Sequence, residues 1–331
     1  MGEGPARTQL LPHLLPGRSC RIRAGEPGAR EAAAARITTA LETSGFFGVG
    51  SHGVPDRIIA EAFAAAHEFF ALPMDRKLGV KINSAHRGYM PMADQHRAES
   101  EYANLSESFL VGSELAPDDP DLVAGLPLHG PNQWPEGVSA LRPALGAYYE
   151  ALAKVGMLLV DLFETALAVE PGFLRDSFGK PMAFIRALHY PPAPADLPKD
   201  QFGAAPHSDF GFATILAQDD VGGLQVQTLD GKWVDAPNLP GTLLVNVGDM
   251  LMRWTNDRFR STVHRVINAD ASDRYSIPYF FDPEFRTVVA CIDSCQSPEN
   301  PSRYEPTTWG DFLTARFDAN HKYRQEAEAT A

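Results

Sequence analysis

The chain has 331 residues, 44% of them hydrophobic, and 29 basic against 42 acidic side chains leave a formal charge of −13. That is enough apolar material for a substantial core, in one large domain or two small ones. The acidic balance disfavours nucleic acid as a partner, because phosphate recognition needs basic patches, and no run approaches the 18 apolar residues of a membrane span.

Three cysteines occur, Cys20, Cys291 and Cys295. An odd number without metal-ligand spacing suits a reducing cytoplasm, in which ferrous iron also persists. The opening apolar residues 10–16 are cut by Pro12 and Pro16 and lack the continuous apolar stretch of a signal peptide. Residues 1–28, rich in Pro, Gly and Arg, are expected to be loosely ordered. Residues 31–43 read as a helix, with Ile37 and Leu41 at i and i+4 and Gly45 as its stop. A strand follows at 46–49. Pro55 opens a second helix at its first position, which runs through Ile58, Ile59, Phe63 and Phe70 to Pro73. His52, in the turn between, suits packing or hydrogen bonding.

From 81 to 135 the chain reads as irregular, and long connections of this kind serve as lids or binding loops. Residues 88–91 and Phe109 are the candidates there to reach a ligand. Residues 141–169 form a long amphipathic helix with apolar positions at helical spacing, read as core packing and ended by Pro171 and Gly172. Past Pro181 the pattern changes to short strands at 183–190, 213–217, 224–228, 243–247, 262–267 and 275–281. Many short strands bounded by Gly, Pro, Asp and Asn predict a double-sheet jelly roll with its ligand in the mouth between the sheets. Residues 309–321 form a final helix placed to cover that mouth.

The strand-rich part also carries the chemistry. His207 and Asp209 lie at i and i+2, so in extended chain both side chains project to one side. His264 follows Asp209 by 55 residues, between Val263 and Val266 in a strand-like setting. Two neutral imidazoles and one carboxylate are the set that holds non-haem Fe(II) on one face and leaves the opposite positions open. Taken singly, each residue reads as ordinary surface or core. The conjunction is the signal, and it extends to Arg274 and Ser276, again at i and i+2, where a guanidinium fork beside a hydroxyl is suited to a carboxylate.

These residues resemble the Fe(II)/2-oxoglutarate-dependent oxygenases, in particular the branch of isopenicillin N synthase and the plant flavonoid oxygenases. The resemblance runs from about Gly45 to Phe281. It rests on His207-Ser208-Asp209-Phe210-Gly211, the stretches 220–226 and 245–249, Ser261-Thr262-Val263-His264-Arg265 and Arg274-Tyr275-Ser276, which fall in the family's order. Gly45-Phe46-Phe47 and Ser51-His52-Gly53-Val54 match more loosely. Residues 20–23 depart from the strand with which relatives begin.

The resemblance implies an α+β fold with a mainly β core, a double-stranded β-helix braced by N-terminal and central helices. Residues 29–331 then form a single domain: 29–180 mainly helical, 181–285 the jelly-roll core, 286–331 a C-terminal strand and helix. It implies that His207, Asp209 and His264 bind iron, that Arg274 and Ser276 hold the far carboxylate of 2-oxoglutarate, and that Tyr190 meets this cosubstrate with its hydroxyl. Arg186 and Leu188 alternate with Tyr190 and are expected to face the primary substrate, Arg186 either binding an anionic group or forming a rim salt bridge. Phe210 and Phe281 complete the expected substrate contacts.

The implied reaction consumes dioxygen and 2-oxoglutarate, releases succinate and carbon dioxide, and hydroxylates or desaturates a small molecule. Relatives that halogenate carry a small residue where Asp209 stands, so oxygenation is expected. Two alternatives stay open at this point: an iron oxidase of the same fold that does not consume 2-oxoglutarate, and a catalytically silent small-molecule-binding protein. A monomer or weak homo-oligomer acting in specialised metabolism is expected by analogy.

Overall fold

A computed structural model describes residues 25–92, 94, 102–198, 200–268 and 272–320. Most of the expected loose segment 1–28, the weak first-strand candidate at 20–23 and residue 321 of the expected last helix lie outside the described residues.

The N-terminal part contains α1 (Ala29–Thr43), β1 (Phe46–Gly50), α2 (Asp56–Phe70), α3 (Met74–Leu78), β2 (Gly88–Met90), β3 (Glu107–Gly112), α4 (Pro120–Val123) and α5 (Leu141–Leu167). Strands then dominate: β4 (Met182–Tyr190), β5 (Ala204–His207), β6 (Ala213–Gln218), β7 (Leu224–Gln227), β8 (Trp233–Asp235) and β9 (Thr242–Val247). A short helix, α6 (Asp249–Trp254), precedes β10 (His264–Val266), β11 (Arg274–Asp282), β12 (Val288–Val289), β13 (Thr307–Thr308) and α7 (Trp309–Asn320). The predicted helices and the six predicted strands are present, and Pro55 stands at the N-cap of α2, one residue before its expected position.

A seven-stranded sheet in the order β1-β9-β6-β11-β4-β3-β2 faces a four-stranded sheet in the order β5-β10-β7-β8. Every pairing in both sheets is antiparallel, which is the jelly-roll arrangement. The stretch read as irregular between 81 and 135 supplies β2 and β3, and β3 pairs with β4 from Glu107↔His189 to Gly112↔Phe184. Tyr89 and Phe109, expected near a ligand, are fully buried in the main core instead. No helix among the described residues is long and apolar enough to cross a membrane.

The helices cover the outer face of the large sheet. Along α5, Leu145, Tyr148, Leu152, Val155, Leu159, Leu162 and Phe163 are buried at helical spacing. Each fully buried Leu or Phe contributes about 1.5–3 kcal/mol. Tyr148 also donates its hydroxyl to the Ile277 carbonyl at 2.7 Å, tying α5 to β11. α1 ends where Gly45 turns the chain at φ +70°, and a Cβ there would lie 2.4 Å from the Arg260 carbonyl oxygen. This close approach seats β1 on β9 and brings Phe46 edge-on to the His264 ring, 5.5 Å between centroids.

Strand parity then divides the large sheet. On β11, Ile277, Tyr279 and Phe281 are buried among the helices, whereas Arg274, Ser276, Pro278 and Phe280 line the interior between the sheets. Phe281 was expected at the substrate, and this is corrected: its ring stacks on Phe178 at 5.1 Å and lies against Gly156 of α5. The residue facing the interior at this end is its neighbour Phe280. Phe281→Ala should therefore destabilise the fold by about 3–5 kcal/mol, as for a large aromatic removed from a packed core, measured by urea unfolding. A loss below about 1 kcal/mol would contradict the core placement.

Candidate functional site

β5 and β10 are antiparallel neighbours, and their register sets His207 directly opposite His264. The two rings lie 4.2 Å apart between centroids. Asp209, two residues past the end of β5, brings Oδ1 to 3.9 Å from His207 Nε2 and 3.7 Å from His264 Nε2. One ligand atom from each of the three residues lies within 4.8 Å of the other two.

Each donor is oriented by a second partner. His207 Nδ1 faces the Ala205 carbonyl at 2.7 Å and His264 Nδ1 faces the Thr262 carbonyl at 3.1 Å. A carbonyl oxygen only accepts, so both Nδ1 atoms carry the proton and both Nε2 lone pairs converge on Asp209, as metal-binding imidazoles require. Asp209 Oδ2 accepts from Thr214 Oγ1 at 2.6 Å and from Asn246 Nδ2 at 2.7 Å, which leaves Oδ1 turned to the imidazoles. Backbone N–H groups at the start of α6 hold the same loop, Asp249 donating to the Asp209 carbonyl and Met250 to the Phe210 carbonyl. Two imidazoles and one carboxylate, convergent and open on one side, fit ferrous iron.

The triad sits between two lobes of one cavity. The inner lobe is lined by Arg274, Ser276, Tyr190, Leu188, Asn104 and Ser106, with Leu216, Leu224 and Val266 behind them. Arg274, 1% exposed, donates through Nε to the Gly222 carbonyl at 2.5 Å and through Nη2 to Gln218 Oε1 at 3.1 Å. Its Nη1 is buried without a hydrogen-bond partner among the described residues. An uncompensated guanidinium N–H is costly unless an anion completes it, so the residues fit a 2-oxoglutarate carboxylate. The Tyr190 ring lies under this guanidinium, 4.7 Å from Cζ. Leu188, expected at the primary substrate, pairs with Ser276 and belongs to this inner lobe.

The outer lobe is lined by His86, Leu110, Phe184, Phe210, Phe280 and Asp282, and α7 closes it with Leu313, Phe317 and Asn320. Arg186 reaches both lobes, with Nε donating to Ser108 Oγ at 3.0 Å. Asp282 accepts from the Phe212 N–H at 2.6 Å. Burial pushes its carboxyl up to about 8; the Phe212 N–H offsets part of this and the charge of Asp209 adds to it.

Sequence reasoning missed Thr214, Asn246, Gln218, Phe280 and Asp282. The signal for two of them was legible: Thr214 and Asn246 are polar residues inside otherwise apolar strands. Phe280 and Asp282 share parity with Arg274 and Ser276, which places them on the same face.

Comparison with known proteins gives a consistent picture. Residues 181–283 match the family model of the 2OG-Fe(II) oxygenase superfamily, and residues 20–137 match that of the non-haem dioxygenase N-terminal region described from morphine synthesis. The chain is 33% identical over 293 residues to the 2-oxoglutarate-Fe(II) type oxidoreductase hxnY of Emericella nidulans, covering 86% of this chain and 84% of that protein. It is 38% identical over 255 residues to the 2-oxoglutarate-dependent dioxygenase citB of Monascus ruber, covering 74% and 77%. Among solved structures, a full-length Neurospora crassa protein in complex with alpha-KG (2-oxoglutarate) and thymine superposes with a TM-score of 0.79 at 26% identity, covering 90% of this chain and 94% of that one.

Two outcomes follow from this geometry. Asn246→Ala removes one of the two donors that orient Asp209 and should weaken Fe(II) binding by about 10–100-fold in an anaerobic titration; undiminished affinity would contradict the orienting role. The second concerns Asp282 in the iron-free protein. Well below pH 4 its carboxyl is protonated whether folded or unfolded; between about 4 and 8 the unfolded chain has released the proton and the folded chain keeps it, so stability falls as pH rises. Asp282→Asn should therefore gain roughly 2–4 kcal/mol over the parent between about pH 5 and 7.5 in urea unfolding, and a pH-independent difference would rule the effect out.

Proposed function

The chain belongs to the 2OG-Fe(II) oxygenase superfamily and is a non-haem iron dioxygenase that uses 2-oxoglutarate, and from that premise we propose how its residues divide the work. His207, Asp209 and His264 hold the iron. Arg274, with Ser276 beside it, receives the far carboxylate of 2-oxoglutarate. Tyr190 supports Arg274 through its ring. The primary substrate enters the outer lobe, where Phe184, Phe210 and Phe280 take its apolar or aromatic body and Arg186 meets a group that accepts hydrogen bonds. What supports this reading above all is the buried Arg274 Nη1, a charged donor without a hydrogen-bond partner among the described residues, on a side chain that lines the lobe adjoining the triad.

When bound, the iron supplies the oxidising chemistry that couples decarboxylation of 2-oxoglutarate to hydrogen removal from the substrate. The protein's residues do the rest. Thr214 and Asn246 keep Oδ1 of Asp209 on the metal side. Arg274 fixes the cosubstrate's depth in the cavity. α7 and the aromatic side chains of the outer lobe exclude water from the reacting centre. A carboxylate as the third ligand favours hydroxylation or desaturation over halogenation. The substrate is a small molecule, with the thymine bound by the N. crassa protein as a guide to size. Ferrous chemistry and the free thiols of Cys291 and Cys295 suit a reducing cytoplasm, and the charge of −13 suits a partner other than nucleic acid.

Two measurements test this reading. Succinate release from 2-oxoglutarate, dependent on Fe(II) and oxygen, should be abolished in His264→Ala, and succinate formation by that variant at the parent rate would refute the metal assignment. Arg274→Ala should keep its iron but lose roughly 2–5 kcal/mol of 2-oxoglutarate binding, about 30-fold to several thousand-fold. An unchanged Michaelis constant for the cosubstrate would refute that assignment.

A further inference from the structure

Behind the inner lobe, on the opposite face of the same strands, lies a row of ionisable side chains with no part in the reaction described above. Glu107 of β3, His189 of β4 and Tyr275 of β11 are register neighbours across the sheet. Glu107 is 2% exposed and is held by Lys77 Nζ at 2.8 Å, by the Tyr89 hydroxyl at 2.5 Å and by His189 Nδ1 at 2.8 Å. The other ring nitrogen of His189, Nε2, lies 2.7 Å from Asp273 Oδ1. Tyr275 stacks on His189 at 4.8 Å and on His67 of α2 at 3.7 Å, and Phe70 of α2 lies against both His189 and Tyr275. The Tyr275 N–H is taken by the Asp219 carboxylate.

This geometry fixes the charge of His189. Each ring nitrogen faces a carboxylate oxygen, carboxylates in such contacts accept, and only the imidazolium has two N–H donors. Burial disfavours that cation, but the hydrogen bonds to Glu107 and Asp273 outweigh burial and raise the His189 pKa above the ordinary imidazole range. Burial likewise works against the Glu107 carboxylate, and the hydrogen bonds from His189, Lys77 and Tyr89 more than reverse it, lowering its pKa.

The next residues along each strand are those of the inner lobe. Tyr190 follows His189, Arg274 follows Asp273, and Tyr190 pairs with Arg274 in register. Asp273 is the last residue before β11, so its grip on His189 pins the end of that strand to β4 next to Arg274. We infer that His189 is a positioning residue for 2-oxoglutarate: as an imidazolium joining Glu107 to Asp273, it holds the β4–β11 end at which Arg274, backed by the Tyr190 ring, meets the cosubstrate. This rests on the reading that Arg274 receives the 2-oxoglutarate carboxylate.

The arrangement has a defined direction with pH. A residue whose folded pKa is raised keeps its bonding at low pH and loses it as pH rises through that raised value. Neutral His189 retains the buried Glu107 contact through Nδ1–H and turns a bare Nε2 lone pair to Asp273, which repels it. Asp273 is half exposed, and its release to water frees the strand end beside Arg274.

The test uses iron-loaded full-length protein between about pH 6.5 and 9, with succinate formation followed against 2-oxoglutarate concentration. In the parent, the Michaelis constant for 2-oxoglutarate should rise roughly 3- to 10-fold with pH, the net worth of about one hydrogen bond, while kcat at saturating cosubstrate stays level. Asp273→Asn alters a half-exposed side chain whose amide can meet either form of the ring, and it should flatten the rise. His67→Asn, which removes the other histidine of the cluster, should keep it. A parent Michaelis constant that does not rise with pH overturns the inference, as does an Asp273→Asn variant with the parent's full rise, or a flat profile in His67→Asn. These failures differ from failure of the underlying reading, in which Arg274→Ala would leave 2-oxoglutarate binding intact at every pH.

Discussion

The register of β10 on β5 is the constraint on which the site depends. His264 and His207 stand opposite each other because those two short strands pair antiparallel at that position. A slip of one residue would turn either imidazole to the other side of its sheet. The register is secured from several directions. β1 brings Phe46 against the His264 ring, β7 pairs with the far edge of β10, and the start of α6 donates to the carbonyls of Asp209 and Phe210. A Cβ at Gly248 would lie 2.5 Å from the Gly211 carbonyl oxygen, so this approach of backbone to backbone needs glycine.

Within this frame the two oxygens of Asp209 have separate tasks. Oδ2 is held by a hydroxyl and an amide, and Oδ1 is left to the imidazoles. Arg274 shows the same division, with Nε and Nη2 held by the protein and Nη1 left over. In both residues the protein partners use up the atoms that would otherwise permit another orientation, and one atom of a cavity-lining side chain is left over. Preorganisation of this kind lowers the ordering that a metal ion or an acid must impose when it binds.

Much of this was legible in the sequence. The paired spacing of His207 with Asp209 and of Arg274 with Ser276 works because strand parity is strict, and both pairs face the cavity. The same parity also contradicts one expectation. Phe281 is an odd number of residues from Arg274 and Ser276, so it turns to the helices, and Phe280 and Asp282 take the inward positions. β2 and β3 were obscured because polar residues and turn formers dominate the stretch from 81 to 135; β3 is fixed by pairing with β4, and β2 by pairing with β3, instead of by an alternating pattern. The row of Glu107, His189 and Tyr275 was beyond reach, since it joins three strands whose registers no local pattern specifies.

The central claim is that three side chains hold iron while a guanidinium on the facing sheet receives the acid of the cosubstrate. Anomalous diffraction at the iron edge from a crystal grown anaerobically with Fe(II) and 2-oxoglutarate tests it most directly. The account predicts a single strong peak bounded by His207 Nε2, Asp209 Oδ1 and His264 Nε2, with one carboxylate of 2-oxoglutarate on Arg274 Nη1. Iron located away from His264, or a cosubstrate whose carboxylates both lie out of reach of Arg274, would contradict it.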